Sequence, residues 1–309
     1  MMQVQHLTRQ FDKRGIAGLH GLSFNLDQGQ VMGIMGPNGS GKTTLLKILS
    51  GAIKQDFGSI RLSGSVSLFS QSEPTVDINV QKLLVTSIKL DIDEDKKIQL
   101  ARDLADTFDF TFQLKQNFFE LSTGQKQKIL LAQELINHPT LLLLDEPFSH
   151  LDPFTRKDIL KALFLYIRNK KITVLWVTHD LEDAFLYSDL IALMQFGKFE
   201  QIGSPLEIVR HPESLFVAKF VGYQNFFPVK SPAGFDEILI VPDHAWEINS
   251  TGKPYKVENR SAGKQTIKYE LSHESRSIYL IRGSQLPLLE VNEVVLLSPV
   301  IQECFSIPL

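Results

Sequence analysis

A glycine-rich run at residues 36–43, Gly-Pro-Asn-Gly-Ser-Gly-Lys-Thr, constrains the fold of this chain more than any other feature of its sequence. It stands between an apolar segment, Val31–Met35, and an amphipathic run that begins at Thr44. A strand, a turn and a helix are therefore expected in succession. Glycines let successive backbone N–H groups converge on an anion, and the helix N-terminus adds positive partial charge. The pattern predicts a loop that binds the phosphates of a nucleotide.

Two side chains at the end of this run suit a nucleotide that carries a metal ion. Lys42 would reach the β- and γ-phosphates as a point charge, and the hydroxyl of Thr43 would ligate Mg²⁺. The residues expected to hold the phosphates are Gly36, Pro37, Asn38, Gly39, Ser40, Gly41, Lys42, Thr43 and Thr44. The bare pattern occurs by chance in roughly one chain of this length in a hundred. The loop predicts a ligand, but by itself it does not name a reaction.

Charge and cysteine content exclude several classes of protein. A net charge of −3 argues against binding to nucleic acid through bulk positive charge. The single cysteine, Cys304, leaves no partner for a disulfide within the chain and fits a reducing compartment. The sequence shows no secretory signal and no apolar run approaching the roughly 18 residues that cross a bilayer. We expect a cytoplasmic chain that reaches a membrane only through a partner.

Short apolar runs alternate with amphipathic stretches from Gln3 to about Gly203, the pattern of an α/β domain with a largely parallel sheet. The predicted core strands are Val66–Phe69, 141–144, Thr173–Val177 and 190–194. Where such a run is apolar throughout, both faces of the strand should be buried. The strand signal disappears at about residues 72–121, where patterns at 80–90 and 96–108 predict a helical insertion.

The character of the sequence changes after Gly222. Residues 223–309 hold short strand patterns separated by Pro, Gly and Ser, and no long helical pattern. The predicted strands are 238–241, 266–271, 277–281 and 294–297. We expect a small all-β domain that forms a single OB-like barrel, with the polar residues 249–265 as a long loop. The predicted organisation is an α/β nucleotide-binding domain over residues 1–222, followed by this barrel.

A hydrophobic run that ends in two carboxylates, residues 141–146, narrows the function. Asp145 at the strand tip can hold Mg²⁺ through water, and Glu146 can polarise a water for attack on the γ-phosphate. The alternative for this pattern alone is a strand followed by a solvated acidic turn. A phosphate-binding loop in the same chain favours the first interpretation.

Residues 121–125, Leu-Ser-Thr-Gly-Gln, precede that strand. Taken alone, they predict a helix start with Ser122 or Thr123 as the N-cap. Placed between the phosphate-binding loop and the acidic strand, they resemble the LSGGQ signature of ATP-binding cassette (ABC) ATPases. The resemblance covers residues 3–222, and its motifs occur in the order typical of the family. It implies a P-loop NTPase fold with a helical insertion, and ATP and Mg²⁺ as ligands.

The resemblance implies roles for three residues whose local sequence favours no particular function. Phe11 would stack on the adenine ring, with a core aromatic as the alternative. Gln71 would approach Mg²⁺ and the attacking water, and His179, which follows a predicted strand, would contact the γ-phosphate. The implied catalytic set is Lys42, Gln71, Glu146 and His179, and the implied metal ligands are Thr43, Gln71 and Asp145.

Further residues are implied to act across a dimer interface. Ser122, Gly124 and Gln125 would contact the γ-phosphate of ATP bound to the opposite copy. Asp152, in the Ser-His-Leu-Asp run at residues 149–152, would lie near the other phosphate-binding loop. Each half-site is then incomplete, so catalysis is implied to require two copies of the chain.

Residues 203–227 are similar to the exit from the ATPase domain in importer ATPases of the sugar, polyamine, sulfate and ferric-iron group, where a TOBE-like barrel follows. The resemblance implies a peripheral subunit on the cytoplasmic side of the inner (plasma) membrane. Its implied partners are a second copy, two transmembrane permease subunits and, through them, an external solute-binding protein, with no nucleic acid. The alternatives are an exporter ATPase and a chain whose C-terminal domain is mainly a regulatory or ligand-sensing module.

Thr123 replaces the usual first glycine of the signature, and Gln133 replaces an arginine of the helix that follows. Because Lys42, Asp145, Glu146 and His179 are all present, we expect an active ATPase, with slow turnover as an open alternative. The solute stays open among ferric iron, polyamine, sulfate, phosphonate and sugar, since selectivity would lie with the membrane subunits and the binding protein.

Overall fold

The computed structural model describes residues 1–11, 18–69, 73–230, 236–263 and 265–308. The chain divides into two compact units, Met1–Leu206 and Glu207–Leu309. Within the described ranges, no helix is long and apolar enough to cross a membrane. Gln71 lies outside these ranges, so its role at Mg²⁺ and the attacking water stays a prediction.

Helices and strands alternate through most of the first unit, and strands dominate the second. The strands are β1 (Met2–Gln10), β2 (Gly18–Leu26), β3 (Val31–Met35), β4 (Phe57–Leu62), β5 (Val66–Phe69), β6 (Leu141–Asp145), β7 (Thr173–Val177), β8 (Leu190–Gln195), β9 (Lys198–Gly203), β10 (Asn225–Lys230), β11 (Asp236–Val241), β12 (Trp246–Ala262), β13 (Thr266–His273), β14 (Arg276–Gly283), β15 (Val294–Pro299) and β16 (Phe305–Pro308). The α-helices are α1 (Lys42–Leu49), α2 (Val80–Ser87), α3 (Glu94–Thr107), α4 (Thr123–Leu135), α5 (Pro153–Lys170), α6 (Leu181–Tyr187), α7 (Pro205–Arg210) and α8 (Leu215–Phe220).

A six-stranded sheet in the order β5-β6-β7-β3-β8-β9 forms the centre of the first unit. Its strands are parallel except β9, which runs antiparallel to β8. Every residue of β3 and β7 is buried, because one hydrophobic cluster covers each face of the sheet. The predicted α/β class and the four predicted core strands are confirmed. Parallel strands end at the same edge, so the segments after β3, β6, β7 and β8 are brought together there.

A second sheet in the first unit, with the order β2-β1-β4, is antiparallel and was not predicted. Its strands lack the uniformly apolar runs of the central sheet, since only one of their faces is buried. In β2 most buried positions alternate with exposed or partly exposed ones, as expected for a strand with one face on the core. Phe11 directly follows β1.

The predicted helical insertion is confirmed by α2 and α3, which are followed by two short 3₁₀-helices, Thr111–Lys115 and Phe118–Glu120. Side chains cap both α-helices at their N-termini: Asn79 accepts a hydrogen bond from the Lys82 N–H, and Asp93 accepts one from the Lys96 N–H. Three buried phenylalanines pack in the core of this insertion: Phe108, Phe110 and Phe118.

The second unit is all-β apart from short helices, as the sequence predicts, and its strands form two antiparallel sheets. Their orders are β14-β13-β12-β15 and β10-β11-β16. In the part of the chain that the structure describes, no hydrogen-bonded pairing joins the two sheets. The pairing therefore differs from that of a single closed barrel. One hydrophobic cluster contains side chains of both sheets, including Val241, Tyr269 and Leu297.

The prediction of a long loop at residues 249–265 is wrong, because β12 runs to Ala262 and pairs with both β13 and β15. The strand was missed because few of its side chains are buried after Trp246; Tyr255 and Val257 are the two buried residues of that stretch. A register shift between Ile248 and Lys253 further interrupts the alternation by which a strand is recognised.

The compact units divide after Leu206, whereas the sequence places the domain boundary at Gly222. The difference arises because α8 belongs to the second unit: its Ala218 packs with Ile240 and Ile307. The boundary at Gly222 stays a prediction about the extent of the ATPase domain.

A carboxylate that accepts a hydrogen bond from a buried N–H group fixes the start of β3, the strand that leads into the phosphate-binding loop. The Val31 N–H donates to Asp189 Oδ2 at 2.8 Å, and Arg168 donates to both oxygens of the same carboxylate, at 2.7 and 2.9 Å. We expect Asp189→Ala to lower the free energy of unfolding by about 1–3 kcal/mol, because it leaves the buried N–H unsatisfied. Arg168→Ala, the matched control, should cost no more than about 1 kcal/mol, since this ion pair is partly exposed. Urea unfolding measures both values, and equal losses would contradict the proposed importance of the Val31 contact.

Candidate nucleotide site

The glycine-rich loop between β3 and α1 has a backbone conformation that residues with a Cβ atom adopt only with strain. Gly36 has a φ of +147°, and a Cβ atom there would lie 2.0 Å from the carbonyl oxygen of Met194. Gly41 has a φ of +106°, and a Cβ atom would lie 2.7 Å from Leu19. Gly41 also forms the N-cap of α1 without a side-chain hydrogen bond. The first N–H groups of α1 therefore point to a concave surface that an anion can fill.

Two polar side chains of the loop are buried. Lys42 Nζ donates to the carbonyl oxygens of Gly36 and Pro37, at 2.8 and 3.0 Å. Burial lowers the pKa of Lys42, and the nearby carboxylates of Glu146 and Asp145 oppose that effect. Among the described residues, the hydroxyl of Ser40 has no hydrogen-bond partner. A buried cation and an unpaired hydroxyl beside open N–H groups suit a polyphosphate, whose oxygens accept hydrogen bonds.

The acidic end of β6 brings a possible base to this loop. Asp145 is the last residue of β6 and pairs with Val177 of β7, and Glu146 follows it in a left-handed conformation with a φ of +47°. The Glu146 N–H donates to Val177 O at 3.1 Å, which fixes the turn. Glu146 Oε1 lies 2.5 Å from His179 Nε2 in a hydrogen bond between two partly exposed side chains. A carboxylate that is oriented by a histidine can take a proton from water.

One cavity of about 310 Å³ is lined by six of the nine residues predicted to hold the phosphates, together with Phe11 and Glu146. Its lining includes Phe11, Asn38, Lys42, Thr43 and Glu146. These residues come from three separate segments, which the two sheets bring to one place. A neighbouring cavity of about 290 Å³ lies beyond Glu146 and is lined by that residue together with Ser149, Arg156 and His179.

The residues predicted to act on a second copy line neither of these cavities. Ser122 caps α4 in a capping box: its hydroxyl accepts from the Gln125 N–H at 3.4 Å, and Gln125 Oε1 accepts from the Ser122 N–H at 3.0 Å. Asp152 caps α5, and hydrogen bonds from Thr155 hold the pKa of the Asp152 carboxyl below its usual value. The structure thus shows the helix-start role of the signature, and the contacts to ATP on another copy stay predictions.

Sequence reasoning missed two residues. Phe196, in the turn between β8 and β9, lines the same cavity as Phe11. The position offers a signal, since β8 is parallel to β3 and its carboxyl end must lie near the phosphate-binding loop. Arg156 of α5 donates to Asp180 at 3.1 Å and also pairs with Asp183. No pattern in the sequence links those three positions.

The two aspartates that Arg156 holds have different environments. Burial raises the pKa of Asp183, and the Arg156 charge only partly offsets that effect. Burial also acts on Asp180, but hydrogen bonds from the Asp183 N–H and from Arg156 outweigh it and lower the pKa of Asp180. Arg156 therefore connects the start of α5, next to Asp152, with the segment that carries His179.

Comparison of the sequence with known proteins finds ABC transporter proteins. The sequence profile described as ABC transporter matches residues 19–149. The spermidine/putrescine import ATP-binding protein PotA of Protochlamydia amoebophila is 35% identical over 237 residues, which are 72% of this chain and 63% of that protein. PotA of Bacillus thuringiensis subsp. konkukian is 32% identical over 269 residues, 82% of this chain and 76% of that protein. The chain spans 51% of a third relative, PotA of Bacteroides thetaiotaomicron.

Solved structures show the same fold. The chain resembles cbiO1 from Clostridium perfringens, part of the ABC transporter complex cbiONQ, with a TM-score of 0.61 and 24% identity, covering 71% of this chain and 92% of that one. It also resembles MJ0796, a bacterial ABC transporter cassette solved as a dimer, with a TM-score of 0.58 and 23% identity, covering 66% of this chain and 99% of that one.

Proposed function

Because the chain belongs to the ABC transporter family, as an ATPase of that family, we propose that it binds and hydrolyses ATP as the ATPase subunit of an importer. The observation that carries the proposal is the single cavity in which Lys42, Thr43 and Glu146 meet, with His179 hydrogen-bonded to Glu146. Lys42 and the N–H groups of α1 bind the phosphates, and Glu146 accepts the proton of the attacking water. His179 orients that carboxylate through its hydrogen bond, and its proposed contact is with the γ-phosphate.

Mg²⁺ fits the residues that are present. Among the described residues, no group of three or more His, Cys, Asp or Glu side chains is placed to hold a metal ion. Mg²⁺ seldom needs such a cage, since it keeps several waters and binds through one or two protein oxygens together with substrate phosphates. The Thr43 hydroxyl and the Asp145 carboxylate supply such oxygens, and Gln71 is a further proposed ligand. When bound, Mg²⁺ neutralises charge that develops on the phosphate oxygens.

The proposed working unit is a pair of chains. Ser122, Gly124, Gln125 and Asp152 line neither cavity that contains Glu146, which supports a role for them at the site of a second copy. ATP then lies between the phosphate-binding loop of one copy and the α4 N-terminus of the other. Closing of this pair on ATP and its opening after hydrolysis would supply the movement that transport requires.

We propose that the movement is delivered to two membrane permease subunits, which hold the chain at the cytoplasmic face of the membrane and connect it with an external solute-binding protein. Among the solutes that the sequence leaves open, we propose a polyamine, because the relatives described above are named for spermidine/putrescine import. The same names favour import over export. The second unit has a hydrophobic core of its own, which supports a separate TOBE-like domain that stabilises the pair.

Transport by the complex tests this proposal. The complex is purified with the membrane proteins that accompany the chain and is reconstituted into vesicles with Mg²⁺ and ATP. We expect uptake of radiolabelled spermidine or putrescine, with at least tenfold lower uptake of sulfate or maltose. ATP hydrolysis without uptake of either polyamine would overturn the proposed solute class. Absence of hydrolysis would overturn the proposal that the chain is an ATPase.

A further inference from the structure

Phe196 is a large apolar side chain that the fold keeps in solvent. It is 77% exposed, and its backbone is left-handed with a φ of +46°. A left-handed conformation is unfavourable for a bulky residue and persists where the surrounding structure imposes it. Packing within the first unit therefore does not explain why a phenylalanine stands at this position.

The turn that carries Phe196 is fixed to the phosphate-binding loop. The Gly197 N–H donates to Ser40 O at 3.0 Å, and the His20 N–H donates to Gly197 O at 2.9 Å. A Cβ atom at Gly197 would lie 2.2 Å from Gly18 O, so the backbones approach too closely for another residue. Because both hydrogen bonds join backbone atoms, Phe196 is held at a set position beside the loop.

Phe196 shares its cavity with the predicted base-stacking residue. Phe11 is 53% exposed and lines the same cavity of about 310 Å³. The guanidinium carbon of Arg9 lies 5.2 Å from the centre of the Phe11 ring, which places a cation over one face of that ring. Two exposed aromatic rings beside one phosphate-binding loop give a flat base two apolar surfaces to contact.

We propose that Phe196 is a second binding residue for the base of the nucleotide and that it favours purines over pyrimidines. The inference rests on the proposed function, since it takes the cavity to be the ATP site. Dispersion attraction between stacked rings grows with the number of atoms in contact, so the larger purine ring benefits more from a second aromatic ring. Phe196 contacts the base and not the phosphates, and therefore affects binding rather than the chemical step.

Binding of two ligands by the full-length chain tests this inference. Calorimetry gives Kd for Mg-ATP and for inorganic tripolyphosphate, which lacks the base. We expect Phe196→Ala to weaken ATP binding about 5- to 30-fold and to leave tripolyphosphate binding within twofold. Its preference for ATP over CTP should fall. Phe196→Trp should bind ATP with near-native affinity, and the fluorescence of the introduced tryptophan should change when ATP binds.

The matched control is Phe57→Ala, which removes a phenylalanine that is 67% exposed on β4 and does not line the cavity. It should leave both Kd values unchanged. Equal weakening of ATP and tripolyphosphate binding by Phe196→Ala would indicate a damaged loop and overturn the inference. Unchanged ATP affinity in Phe196→Ala would also overturn the inference, with the proposed function intact. A native chain that bound neither ligand would overturn both.

Discussion

Replacement of Glu146 by glutamine should abolish ATP hydrolysis, leave ATP binding intact and trap two copies of the chain around ATP. Glutamine keeps the size of the side chain and its hydrogen bond to His179, but it cannot accept the proton of the attacking water. Loss of a general base costs about 10²- to 10⁴-fold in rate. Because the closed pair opens after hydrolysis in the proposed cycle, the variant should stay closed.

Three measurements check this result: phosphate release, ATP affinity by calorimetry, and mass in solution by light scattering with and without ATP. Glu94→Gln is the matched control, since Glu94 is exposed at the start of α3 in the helical insertion. The control should hydrolyse ATP at the native rate. Native turnover in Glu146→Gln would remove Glu146 from the role of base, and a monomer in ATP would argue against the proposed pair.

Replacement of Lys42 by alanine should weaken ATP binding by about 10- to 100-fold or more, because hydrogen bonds to charged groups are worth about 1.5–3 kcal/mol. The loss should not come from unfolding. Burial lowers the pKa of Lys42, so the fold disfavours its charge, and removal of that charge relieves a desolvation cost. Without nucleotide, the variant should therefore melt close to the native chain, because relief of that cost offsets loss of the Lys42 hydrogen bonds to Gly36 O and Pro37 O.

The control for this prediction lies on the same helix. Lys47 is exposed in the last turn of α1, so Lys47→Ala removes an equal charge away from the cavity. It should leave ATP affinity within twofold. Calorimetry and thermal unfolding measure the two effects, and a Lys42→Ala chain that binds ATP normally would show that the loop does not hold the nucleotide.

The features that follow from sequence alone are those with strong local causes. Strand β7 was predicted to the residue because a strand buried on both faces is largely apolar, and β5 was predicted to the residue although it is only partly buried. The phosphate-binding loop was recognised from its glycines. The structure shows why they are needed, since Gly36 and Gly41 have backbone conformations and contacts that exclude a side chain. In such segments the local pattern and the tertiary environment make the same demand.

The features that were missed depend on contacts between distant segments. Strand β12 is mostly exposed after Trp246, so its sequence resembles a polar loop, and two neighbouring strands supply the hydrogen bonds that define it. Phe196 enters the nucleotide cavity only because β8 lies next to β3 and the turn bonds to the loop. Neither effect leaves a periodic pattern to be recognised.

The shared guanidinium of Arg156 also limits how this chain can vary. Asp183 has a side chain that is only 8% exposed and pairs with Arg156. Loss of the arginine would leave a buried carboxylate without that counter-charge, which costs far more than loss of an exposed ion pair. Substitutions at Arg156, Asp180 and Asp183 should therefore be tolerated together more readily than singly. The segment beside Asp152 and the segment beside His179 should accordingly vary together in sequence.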